Sequence, residues 1–311
     1  MLLLSSTGKP AYCQFGALIL HHGLIVSSYG RQFIVEYQGQ QYQAVTKGKK
    51  TEFVVGDKVK LNLINDKQVQ IMELIPRENL IYRSDLNRSK IIASNLDQII
   101  IVIAVKPNFN QNFLDSCLIC AESSQITPLI LINKMDLIES AEFASKIQQL
   151  YGDELGYPIL ELSAVDNCQQ LMSYLTGKRN LLIGQSGVGK STITNQIFPE
   201  AKARTAEITK YETSGSHTTT SAALYHIAEN TDLIDCPGLQ EFGLFHLELT
   251  EFAEYFPDLR NYLGQCKFNN CVHLNEPNCA IIAALKAGKI QAHRYAFYKR
   301  ITESYKLKKN Y

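Results

Sequence analysis

The chain has 311 residues and 35.0 kDa, a length for two or three domains at about 150 residues each. Lys and Arg number 31 against 30 Asp and Glu, so the whole is not a polycation and any nucleic-acid surface is a local patch. No apolar run reaches the roughly 18 residues of a membrane-spanning helix, and Met1–Ser6 is too short for a secretory leader. Eight cysteines then point to free thiols or a metal in a reducing cytosol, and a cytoplasmic monomer that avoids membranes is expected.

Residues 11–75 carry short runs rich in β-branched and aromatic residues: Phe15–Leu20, Gly23–Val26, Gln32–Tyr37, Tyr42–Val45, Lys58–Leu63 and Gln68–Met72. Gly39 and Gly56-Asp57 punctuate them as turns. About five or six strands in this length predict a small barrel, for which the OB-fold is the common nucleic-acid-binding form. A barrel of purely structural role is the plainer alternative. From Pro76 a polar linker is expected to run to about Asn95.

At residue 96 the period changes. Asp97–Val105 is a continuous apolar run, the mark of a strand buried on both faces of a parallel sheet. Helical stretches at 111–124, 140–151 and 167–176 alternate with strands at Pro128–Ile132, Pro158–Leu162, Asn180–Ile183 and Thr231–Ile234. Such alternation predicts a parallel α/β sheet covered by helices on both faces. Near Glu254 the pattern ends, and a Cys/His segment precedes a helical C-terminus.

Gly184-Gln185-Ser186-Gly187-Val188-Gly189-Lys190-Ser191-Thr192 fits the Gly-x-x-x-x-Gly-Lys-[Ser/Thr] phosphate loop and stands between a strand and a helix. Its glycines let backbone N–H groups wrap phosphates at a helix N-terminus. Lys190 is expected on the β/γ-phosphates and the Ser191 hydroxyl on Mg²⁺. Asn133-Lys134-Met135-Asp136 follows a strand, where ligands of open α/β sheets bind. Asp136 can accept from guanine N1–H and the exocyclic amine, which adenine cannot supply; Lys134 can lie along the ring. Ser163-Ala164, at the end of another strand, would bring a backbone N–H to guanine O6, and together these motifs select GTP over ATP.

Asp235-Cys236-Pro237-Gly238 fits Asp-x-x-Gly, with Asp235 on the Mg²⁺ water and Gly238 N–H on the γ-phosphate. The polar stretch Thr205–Ser216 precedes Thr218-Thr219-Thr220, one of which, Thr219 by preference, completes the Mg²⁺ shell. Position 239, where Ras-like proteins carry a water-orienting Gln, is Leu239, so intrinsic hydrolysis should be slow. A partner or His217 would supply the missing function; an RNA contact and a plain loop residue are equal alternatives for His217. The guanine motifs precede the phosphate loop, the reverse of ordinary GTPases, so the sheet is circularly permuted and Asp235–Gly238 leads into the C-terminal segment.

Cys266, Cys271, His273 and Cys279 place three thiols and an imidazole within 14 residues, a closed tetrahedral set for one structural zinc. Cys117 and Cys120 read as core packing. Lys286–Lys309 holds eight Lys/Arg against one acid, Glu303, with Tyr295, Phe297, Tyr298 and Tyr305 interleaved. Cations on phosphates and aromatics on bases fit RNA binding; a solvated helix with aromatics in the core is the alternative.

The permuted order, Gly215-Ser-His-Thr-Thr-Thr, Asp235-Cys-Pro-Gly-Leu-Gln-Glu-Phe-Gly-Leu and Cys266–Cys279 together resemble the RsgA (YjeQ) family of bacterial ribosome-biogenesis GTPases over nearly the whole chain. The resemblance implies a multi-domain protein with an OB-fold barrel over residues 1–80. A permuted α/β P-loop GTPase domain over 81–250 and a mostly helical zinc domain over 251–311 follow. It also implies a late assembly factor of the small (30S) ribosomal subunit, with contacts to 16S rRNA, subunit-stimulated conversion of GTP to GDP, Mg²⁺ and one zinc. A binding module with incidental hydrolysis and a P-loop ATPase or kinase are the competing classes, the last disfavoured by Asn133–Asp136.

Overall fold

The structure is a computed structural model describing residues 20–29, 32–46, 52–84, 89–200, 222–236 and 243–309. The run Phe15–Ile19, Thr205–Ser216, His217, Thr218–Thr220, Gly238 and Leu239 lie outside the described residues.

Strands β1 (His21–Tyr29), β2 (Gln32–Tyr37), β3 (Gln40–Thr46), β4 (Lys58–Asn65) and β5 (Gln68–Leu74) form the barrel. Their order is β1-β2-β3-β5-β4, and β4 pairs back onto β1 to close the ring. Only β3–β5 is parallel. Alternate residues point inward, so Ile25, Phe33, Val35, Val59, Leu61, Val69 and Ile71 fill the centre.

The linker expected after Pro76 is instead a β-hairpin: β6 (Leu80–Ser84) pairs antiparallel with β7 (Ser89–Ser94). Ile81 and Ala93 are fully buried, and Val55, in the segment before β4, bridges to Ala93. Two short apolar runs, Leu80-Ile81 and Ile91-Ile92, suffice here because the hairpin borrows its core from its neighbours. Gly56 is required at this seam: with φ +93°, a Cβ there would meet the Ser94 carbonyl oxygen at 2.2 Å.

The α/β sheet has the order β10 (Ile159–Glu161), β9 (Thr127–Asn133), β8 (Gln98–Ala104), β11 (Arg179–Gly184) and β13 (Thr231–Asp235), all parallel. These five strands are parallel as expected, and the sheet continues past β13. There β12 (Ala222–Ala228) runs antiparallel to β13 and also pairs with β1 through Ser27 and Ala223, making eleven strands continuous. The turn before β13, with Asn230 at φ +51°, is too tight for a parallel crossover.

Helices cover both faces, as expected. Ile99, Ile101 and Ile103 pack with α1 (Gln111–Ser123) and α2 (Ser140–Ile147), which runs on as a π turn to Asp153. Ile100 and Val102 pack on the opposite face with α3 (Gln169–Leu175) and α4 (Lys190–Ile197). Cys117 and Cys120 are fully buried in the first of these cores, where burial raises both thiol pKa values.

The C-terminal segment adds α5 (Ala280–Lys286) and α6 (Ala292–Lys309). It docks on α1 through a buried ion-pair cluster: Arg294 donates to Asp115 at 2.7 Å and to Asp258 at 3.2 Å, with its guanidinium 4.8 Å from the Phe256 ring centre. Among the described residues no helix is long and apolar enough to cross a membrane.

Candidate nucleotide site and metal centre

The phosphate loop leaves the carboxyl end of β11 and enters α4 at Gly189. Gly187 and Gly189 have φ of +79° and +102°, which glycine adopts without strain. Val188, between them, is buried and anchors the loop. Lys190 folds back over the loop and donates to the carbonyls of Gly184 (2.6 Å) and Gln185 (2.9 Å). Burial lowers the Lys190 pKa, with the nearby Asp235 acting in the opposite sense. Asp235, at the end of adjacent β13, has its pKa raised by burial and opposed by Lys190. Ser191 and Thr192 are exposed at the start of α4.

Asn133 ends β9, two strands from the phosphate loop. Its side chain is only 2 % exposed, donates to the Val188 carbonyl at 2.8 Å and accepts from the Ala164 N–H at 2.9 Å. A Cβ on Gly189 would lie 2.2 Å from Asn133 Nδ2, so that glycine is needed for the approach as well as for its φ. Asn133 therefore braces three loops, and the Ala164 N–H is engaged with it. Asp136 is exposed, and the Ser163 hydroxyl donates to its Oδ1 at 2.9 Å, fixing the carboxylate expected at the base edge. Lys134 takes φ +66°, and its carbonyl accepts from the buried Ser140 hydroxyl at 2.7 Å, which shapes the loop around the Asp. The roles of Asn133, Ser163 and Ser140 as braces carry no sequence signal beyond the motif letters.

The four metal-ligand candidates converge, with one donor atom of each of Cys266, Cys271, His273 and Cys279 within 4.8 Å of the others. Cys266 Sγ and Cys279 Sγ are 3.8 Å apart, and each lies 3.4 Å from His273 Nδ1. A tetrahedral ion with Zn–S bonds of about 2.3 Å requires sulfur atoms roughly 3.8 Å apart. The donor set and its spacing are thus compatible with zinc. Glu276 holds the loop by accepting from the N–H groups of Val272, Leu274 and Asn275. Burial would raise its pKa, but these backbone bonds bring it below the usual value.

Comparison with known proteins converges on one group. A family model described as RsgA GTPase matches residues 74–245. The chain belongs to the RsgA GTPase family. A Neisseria meningitidis relative named small ribosomal subunit biogenesis GTPase RsgA is 43% identical over 280 residues, covering 90% of this chain and 91% of its own. A relative of the same name from Nitrosomonas europaea is 43% identical over 287 residues, 91% of each chain. The crystal structure of YjeQ from Thermotoga maritima superposes with a TM-score of 0.72 at 27% identity, covering 92% of this chain and 99% of that one. The structure of YloQ, described as a circularly permuted GTPase, does so with a TM-score of 0.69 at 28% identity, covering 92% and 95%.

One expectation for this family member is corrected. Phe297, Tyr298 and Tyr305 of α6 are buried and Tyr295 is half-buried, so they are not a stacking platform for bases. Tyr295 and Tyr298 donate instead to the carbonyls of His273 (2.9 Å) and Val272 (3.1 Å), bracing the Cys/His loop. Arg294 is spent in the ion-pair cluster, whereas Lys286, Lys289, Arg300 and Lys306 remain exposed. Phe268, between Cys266 and Cys271, is the one exposed Phe or Tyr side chain among the described residues.

Proposed function

We propose that this protein hydrolyses GTP while assisting late assembly of the small ribosomal subunit, binding 16S rRNA as a cytoplasmic monomer. The observation that carries the reading is Asn133, which locks the guanine-motif loop to the phosphate loop across β8. That geometry makes base identity and phosphate grip one structure. The relatives' shared name, small ribosomal subunit biogenesis GTPase, supplies the target.

In this reading Gly184–Thr192 cradle the phosphates, Lys190 leaves the loop carbonyls for the β/γ-phosphates, and Ser191 with Asp235 serves Mg²⁺. Asp136, set by Ser163, reads the guanine edge, with Lys134 along its face. His217, Thr219 and Gly238 take the γ-phosphate side. Zinc sits among Cys266, Cys271, His273 and Cys279 and fixes the C-terminal unit, the third part of a division at 1–80, 81–250 and 251–311. Exposed cations of α5, α6 and the Cys/His loop meet RNA phosphates.

Leu239 favours a second reading, in which nucleotide gates docking and hydrolysis is incidental. The deciding measurement is GTP hydrolysis by the full chain alone, with small subunits, with large subunits and with free RNA. Stimulation by small subunits alone supports the GTPase reading. Equal slow rates throughout transfer the case to the docking switch.

A further inference from the structure

Helix α1 touches both the phosphate loop and the C-terminal unit, and each end of that connection is made by a specific polar contact. At its N-terminus Asn110 caps the helix, accepting from the Phe113 N–H at 3.2 Å through its side chain. The Asn110 backbone N–H donates to Gln185 Oε1, in the phosphate loop, at 3.3 Å. The Gln185 carbonyl in turn holds the Lys190 ammonium. Five residues along the helix, Asp115 is buried against Arg294 of α6 at 2.7 Å and accepts from Tyr151 at 3.1 Å. Near its end Glu122 accepts from Arg260 at 2.8 Å and from Tyr157 at 3.2 Å.

We propose that Gln185 and Asn110 are positioning residues for the phosphate loop, and that α1 is the strut through which the C-terminal unit and the bound nucleotide sense each other. The helix is about 20 Å long at 1.5 Å per residue and is packed along its length, with Phe113 to Ala121 buried. It therefore moves as a rod. When Lys190 turns from the loop carbonyls to a phosphate, the Gln185 segment loses one of its ties, and the Asn110 contact passes that change to the rod. The Arg294 and Arg260 ion pairs deliver it to α6 and to the segment carrying Asp258. This connection runs independently of the chain that follows Asp235. The proposal rests on the nucleotide-site reading above, and coupling of this kind is reciprocal, with typical effects of fivefold or more.

The test is hydrogen exchange on the full chain, without nucleotide, with GDP and with a non-hydrolysable GTP analogue, each at saturation fixed by a separate fluorescent-nucleotide titration. Nucleotide is expected to slow exchange in Ala292–Lys309 by about fivefold, and Gln185→Ala, at its own saturating concentration, to reduce that response to under about twofold. Arg294→Met exposes a buried carboxylate to loss of its partner and endangers folding, so Arg260→Ala, at the surface end of the strut, serves as the second variant. Gln185→Ala and Arg260→Ala should have non-additive effects on GDP affinity. Bound nucleotide with no response in α6, or additive effects, overturns the strut alone. Failure to bind guanine nucleotide at all overturns the site reading and the strut together.

Discussion

The Asn133 carboxamide donates to the Val188 carbonyl at 2.8 Å, so the loop carrying the Asn-Lys-x-Asp motif and the Gly-rich loop after β11 share one buried side chain. Asn133→Ala leaves the Val188 carbonyl and the Ala164 N–H without their partner. Each unsatisfied buried group costs about 1–3 kcal/mol, so the denaturation midpoint should fall. GDP and GTP should both bind more weakly, while the preference for GTP over ATP survives because Asp136 and Ser163 are untouched. Calorimetric titration with the three nucleotides checks this, and lost selectivity at unchanged affinity would contradict the bracing role.

The parts of the site that were legible in the sequence are those that geometry demands of the backbone. Gly187 and Gly189 must be glycine for their φ, and the Cys/His spacing must close a tetrahedron. Side-chain braces were not legible, because the partners of Asn133 lie 31 and 55 residues away. The β6–β7 hairpin escaped because its apolar runs are too short for a period to register. For α6 a signal did exist. Arg294, Phe297, Tyr298, Ile301 and Tyr305 recur at three- and four-residue steps, the stripe of a helix face turned to a core. That pattern marks a packed face, while the surrounding lysines carry the charge of a phosphate-binding surface.

The Cys/His centre can be tested through what it holds in place. Tyr295 and Tyr298 donate to the carbonyls of His273 and Val272, so the loop and α6 are tied together. Cys271→Ser should abolish the one zinc expected per chain and loosen α6, seen as altered tyrosine fluorescence and earlier unfolding of the C-terminal unit. Because thiols must lose protons to bind metal, zinc affinity should fall as pH is lowered. A Cys271→Ser protein that still carries one zinc per chain contradicts the ligand set.

A pH effect is expected where the barrel meets the α/β sheet. His226 on β12 lies 2.7 Å from Asp232 of β13 and 3.2 Å from Glu36 of the barrel, and Arg179 pairs with the same Asp232 at 3.0 Å. The hydrogen bond to Asp232 and the two carboxylates raise the His226 pKa, against the opposing effect of burial. A raised folded pKa favours the protonated, folded form. The contribution is complete below the unfolded histidine value of about 6.5 and disappears as pH rises through the folded value. The melting temperature of wild type should therefore fall as pH rises above about 6.5 by more than that of His226→Gln. Parallel melting curves for the two proteins across that range would remove His226 from the junction.

Phe268 presents an exposed aromatic ring on the C-terminal unit. It is 41% exposed on the loop between Cys266 and Cys271, and Lys267 places its ammonium 5.5 Å from the ring centre. The Cys271 N–H donates to the Phe268 carbonyl at 3.2 Å, so the ring is presented from a turn that the ligand set holds. An unstacked base fits such a ring, and stacking is worth about 1–3 kcal/mol, about fivefold to 150-fold in affinity. Phe268→Ala should weaken binding to the small subunit by about that factor while zinc content and GDP affinity stay unchanged. Phe268→Tyr, which keeps the π face, should restore it, and Lys267→Ala should flatten the salt dependence of binding. Equal subunit affinity for wild type and Phe268→Ala would exclude Phe268 from subunit binding and leave the exposed lysines of α5 and α6 as the candidates.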